Sequence, residues 1–147
     1  MRKGILLGLA IAVLAAAPAA SAAEIEVKML NKGEKGAMVF EPDFIEAAVG
    51  DTVRFVAADK GHNVESIKGM VPEGVDPVKG KINEEIVITI EKEGLYGVKC
   101  TPHYGMGMVA LIAAGEPVNE EAARAAKQNG KAKARFEEIF AAYDASK

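Results

Sequence analysis

The chain of 147 residues contains one cysteine, two histidines and no tryptophan, and only 5% of it is aromatic. A lone cysteine excludes an internal disulfide, so the thiol stays free, pairs with another chain or binds a metal. No basic block, and no stripe of basic residues interleaved with aromatics, points to nucleic acid. The longest apolar run, from Ile5 to Ala17, falls short of the ~20 residues needed to span a bilayer. Internal repeats and low-complexity segments are absent as well. What is left is one thiol, two imidazoles and six methionines, in a chain long enough for a single domain with its own core.

The first residues have the form of an export signal. Arg2 and Lys3 give a positive start, the Ile5 to Ala17 stretch is apolar, and Ala20-Ser21-Ala22 is a small-residue cleavage site. Cleavage after Ala22 divides the chain into a signal peptide, 1–22, and one domain, 23–147. The domain keeps sixteen basic against twenty-one acidic side chains, a net charge of −5.

From about 24 to 114 the chain alternates short strands with turns. Glu24 to Leu30 alternates charged and apolar residues, as a half-buried strand does. Ala37 to Phe40, Phe44 to Val49 and Thr52 to Ala57 follow, set apart by a polar turn over 31–36, by Pro42 and by Gly50-Asp51. Three glycines and two prolines mark 69–80 as a long loop. Ile86 to Ile90 is rich in β-branched residues, and Leu95 to Lys99 and Val109 to Ala113 complete the set. Seven or eight strands at this spacing predict a two-sheet antiparallel sandwich.

Past Gly115-Glu116-Pro117 the pattern turns helical, over about 119–146. Asn119 is placed to cap a helix, with Glu120 and Glu121 favourable in its first turn. That helix is expected to stop near Asn129-Gly130. A second one sets Ala132, Phe136, Ile139, Phe140 and Tyr143 on one face, to be buried against the sandwich.

The scarce soft donors fall together. Cys100 stands where a strand gives way to a loop, His103 follows three residues later, and Met106 and Met108 come next. His62, after the Thr52 to Ala57 strand, is the one other imidazole available. Thiolate, thioether and imidazole make a set that favours copper, and two histidines, one cysteine and a weak axial methionine describe a blue-copper electron-transfer centre. Spacing alone leaves Met106 and Met108 open as the thioether. A copper chaperone or storage protein would use the same donor types. A cysteine hydrolase would leave the methionines without a role, and methionine is not a usual zinc ligand.

With Gly61-His62-Asn63-Val64 and Cys100-Thr101-Pro102-His103-Tyr104-Gly105-Met106-Gly107-Met108 in place, the chain resembles the pseudoazurins, blue-copper proteins of the cupredoxin family. The resemblance extends to the Met29-Leu30-Asn31-Lys32-Gly33 opening and the two C-terminal helices. It implies a mainly β, eight-stranded Greek-key cupredoxin sandwich with two C-terminal α-helices. It also implies one type 1 copper per chain, held by His62, Cys100, His103 and Met108. The function implied is one-electron delivery in the periplasm to a reductase of denitrification, copper nitrite reductase in particular, by a monomer that is not itself an enzyme. The contact would be transient, through an apolar patch around His103 ringed by lysines. Lys32, Lys60, Lys68, Lys79, Lys81 and Lys99 are the candidates for that ring.

Overall fold

The computed structural model describes residues 20–147, so the expected export signal lies almost wholly outside the described residues. Two four-stranded sheets face one another. The first runs in the order β2 (Gly36–Glu41), β1 (Glu24–Gly33), β4 (Thr52–Val56), β6 (Ile86–Thr89). The second runs β3 (Phe44–Ala47), β8 (Val109–Ala114), β7 (Gly94–Lys99), β5 (Glu65–Ser66). The pairing is not antiparallel throughout. β1 lies parallel to β4, and β3 parallel to β8. The chain crosses from β2 in one sheet to β3 in the other and back to β4, so strands re-enter beside neighbours that run the same way.

Alternation builds the core between the sheets. Val27 and Met29 of β1 and Val53 and Phe55 of β4 point inward and are fully buried. They meet Tyr96 and Val98 of β7 and Ala110, Ile112 and Ala114 of β8 in one cluster, which also takes in Cys100 and Met108.

β7 and β8 are buried on both faces, which is why they read as near-continuous apolar runs. Their outer face, with Leu95, Val109 and Leu111, packs against Ala123 of α1 (Glu120–Ala125) and Ala132, Phe136, Ile139 and Tyr143 of α2 (Lys131–Ala145). Burying each of the large side chains contributes about 1.5–3 kcal/mol. α1 stops at Ala125, four residues short of the expected Asn129, because Ala126 turns to an extended conformation. Asn119 makes no capping bond. Its Oδ1 instead accepts the Leu95 N–H at 2.7 Å and its Nδ2 donates to the Leu95 carbonyl at 2.9 Å.

One further feature departs from the sequence pattern, and the expected long loop has a fixed base. β1 runs on to Gly33 and pairs with β2 as far as Gly36, where a polar turn had been expected to start at Asn31. The long loop over 69–80 is tethered at its base by Ser66 N–H to the Val78 carbonyl and Gly80 N–H to the Val64 carbonyl, each 2.8 Å.

Candidate metal centre

Cys100 and Met108 are placed by the sheet. Lys99 of β7 pairs with Val109 of β8, and the next rung is the Cys100 N–H donating to the Met108 carbonyl at 3.0 Å. Both side chains continue the inward parity of their strands and are fully buried. Between them runs a 3-10 helix, Thr101–Met106, with Pro102 in its first turn, where a missing N–H costs nothing. Gly107 closes it at φ 90°, a left-handed conformation that favours glycine. The Met108 N–H then reaches the His103 carbonyl at 3.2 Å. Met106 ends up 45% exposed at the end of the helix.

His62 arrives from the other sheet and is fully buried. Its Nε2 lies 2.9 Å from Asn31 Oδ1. An amide oxygen only accepts, so the ring proton sits on Nε2 and Nδ1 is left free to bind. Asn63, next in sequence, accepts the Thr101 N–H at 2.7 Å and donates to the Gly80 carbonyl at 3.2 Å. It ties the histidine strand end to the cysteine loop. Met38, half-buried with φ 53°, packs against the same cluster as Cys100 and Met108.

The three donor atoms converge. Cys100 Sγ lies 3.4 Å from His103 Nδ1 and 3.7 Å from His62 Nδ1, and the two imidazole nitrogens are 3.2 Å apart. Donors bound 2.0–2.3 Å from one ion in a trigonal plane stand roughly 3.5–3.8 Å from each other. The observed triangle comes within about 0.3 Å of that spacing, close enough for a single small ion to draw the three donors around it. Burial pushes the Cys100 thiol up, partly offset by the backbone N–H groups of Asn63 and His103. Burial, with His103 alongside, pushes the His62 imidazolium down, so the ring is held neutral. Neutral imidazole is the ligating form.

Comparison with known proteins points to copper as well. Residues 27–115 match the model of the copper binding proteins of the plastocyanin/azurin family. The chain belongs to that family. This cupredoxin is 56% identical over 129 residues to the pseudoazurin of Paracoccus pantotrophus, covering 87% of this chain and 89% of the relative. It superposes on the pseudoazurin of Methylobacterium extorquens AM1 with a TM-score of 0.79 at 48% identity, covering 82% and 98% of the two chains. For pseudoazurin from Hyphomicrobium denitrificans the values are 0.77, 50%, 80% and 96%. This cupredoxin is thus a blue-copper electron carrier of pseudoazurin type, not an enzyme, and uses one type 1 copper.

Asn31 is the functional residue that reading the sequence missed. It lies 31 positions from His62, and nothing in the local pattern points from one to the other. A weak cue existed, since a buried ligating histidine needs an acceptor for its second nitrogen.

Proposed function

We propose that His62, Cys100, His103 and Met108 hold the copper. On the same reading the chain, freed of residues 1–22 on export, carries single electrons through the periplasm as a monomer. Its acceptor would be a reductase of denitrification such as a copper nitrite reductase. The observation behind this reading is the triangle of three soft donors within 3.7 Å, with Met108 buried on the adjoining rung of the sheet. Bound copper would supply a Cu(II)/Cu(I) couple, for which a two-nitrogen, one-sulfur set with a distant thioether suits both states.

The chain's own residues do the rest. Cys100 and Met108 are fixed to neighbouring strands, His62 is held by Asn31, and Asn63 joins the two halves. Donors held this way move little as charge changes. Of the four, only His103 is not fully buried, which makes its ring edge the path for the electron. Burial of the others favours retaining the metal over handing it on, and so a carrier over a chaperone.

Five of the candidate lysines adjoin residues of the centre. Lys60 lies two positions before His62, Lys32 follows Asn31, Lys79 and Lys81 flank Gly80, and Lys99 precedes Cys100; all but Lys99 are exposed. Lys68 stands apart, next to Ile67, whose N–H bonds the Gly97 carbonyl midway along β7. Such a cluster steers a transient encounter with an acidic partner.

The deciding measurement is the visible spectrum of the copper-loaded, oxidised protein, with voltammetry of the same sample. An intense visible band and a reversible one-electron wave are expected. Met108→Leu should shift the potential and Met106→Leu should leave it in place. A colourless protein without a wave would sink the reading.

A further inference from the structure

The two C-terminal helices touch the candidate metal centre through the segment that joins them. The Tyr104 hydroxyl, one residue beyond His103, donates to Gln128 Oε1 at 2.6 Å and accepts the Asn129 N–H at 3.2 Å. Gln128 Nε2 in turn donates to the Met70 thioether at 3.3 Å. Met70 is fully buried, and its carbonyl takes the Gly97 N–H of β7 at 2.8 Å. The backbones close on each other beside this chain of bonds. A Cβ at Gly130 would come 3.0 Å from the Gly105 carbonyl oxygen, and one at Gly107 would come 3.3 Å from the Lys131 carbonyl oxygen. Both glycines have positive φ, 55° and 90°.

We propose that Gln128 and Tyr104 form a latch by which the helix linker holds the 3-10 helix closed, fixing His103 in position. This rests on the reading of His103 as a ligand. The 3-10 helix has no buried residue of its own and no side-chain cap at its start. Short 3-10 segments with poor bond geometry open readily unless something outside holds them. Beyond the Asn63 bond to the Thr101 N–H at its start, Tyr104 and the two glycine contacts hold this one. Gln128 and Tyr104 are therefore positioning residues: they act on the ligand loop and touch no metal.

The test combines amide hydrogen exchange of the metal-free protein with the rate of copper(I) loss from loaded protein to a chelator. Tyr104→Phe and Gln128→Ala should each speed exchange at the Gly107 and Met108 amides by about fivefold to tenfold, the loss of one net hydrogen bond. Val53 and Phe55 of β4 should be unaffected. Copper(I) loss should quicken by a similar factor, and the double variant should be no worse than the worse single. Gln128→Glu keeps an acceptor for the Tyr104 hydroxyl and loses the donor to Met70, so both rates should fall between those of the wild type and Gln128→Ala. Unchanged loop exchange, equal acceleration in β4, glutamate no better than alanine, or faster exchange without faster copper loss would each overturn the latch. A wild-type chain that takes up no copper would instead refute the ligand reading, and the exchange data would still decide the latch.

Discussion

Cys100 sits at the end of a buried strand face, and the burial that makes it a good ligand also makes it a poor acid. A thiol held above its ordinary range is protonated at neutral pH, and metal binding must expel that proton. His62 contributes none, since burial beside His103 already keeps it neutral. The sign follows directly. Raising pH removes the proton that competes with the metal, so copper affinity should rise by about tenfold per unit between pH 7 and 8, with close to one proton released per ion. A competition titration in which affinity does not change with pH would contradict the buried, protonated thiol. At this scale the ligand types were legible in the sequence because cysteine and histidine are so scarce. Of their braces, Asn63 is legible as the neighbour of His62 able to reach across to the ligand loop, and its amide does bond Thr101. Asn31 looks like an ordinary turn residue until the fold brings its amide to His62.

The strands explain why spacing could not choose between Met106 and Met108. Counting from Cys100 treats the loop as featureless, whereas β7 and β8 are in register and Met108 stands opposite Cys100 on the next rung. Had the inward parity of Ala110 and Ile112 been carried back two residues, Met108 would have been favoured on physical grounds. The second helix was legible by its one apolar face and the first by its start after Asn119, while the stop of the first helix at Ala125 was not. Asn119 has the composition of a cap, yet tertiary structure employs it otherwise. Its amide stands in for a neighbouring strand at Leu95, beyond the reach of the two-residue β5. Asn119→Ala would leave the buried N–H and carbonyl of Leu95 without partners, destabilising the fold by about 2 kcal/mol. Asn119→Asp keeps the acceptor and loses the donor, so it should fall between. Urea titration of the three proteins checks the order. An alanine variant as stable as the wild type would show that water replaces the amide without loss.

Across the whole molecule, lysines collect at the Cys100 end of β7, with Glu65 opposite Lys99 and Asp59 beside Lys60 among them. Lys99 and the lysines beside His62 gather at the Cys100 end, while Glu91, Glu93 and Glu116 lie at the far end, where Gly94 pairs with Ala114. The expected net charge of −5 would by itself repel an acidic partner. Attraction must then come from the nearer end. Charge reversal at two lysines separates the two effects, because Lys60→Glu and Lys92→Glu change the net charge equally. Lys60 adjoins Gly61 and His62; Lys92 precedes the start of β7, where its Nζ bonds the Glu73 carbonyl. The strand between the two ends is about 20 Å long, at roughly 3.3 Å per residue, more than two Debye lengths of about 8 Å at physiological salt. Steering gains of about 10- to 1000-fold are shared among several lysines, so Lys60→Glu should slow association with an acidic reductase roughly threefold at low ionic strength. Lys92→Glu should do much less, and added salt should erase the difference. Equal slowing by both variants would mean that net charge, not its arrangement around His103, governs the encounter.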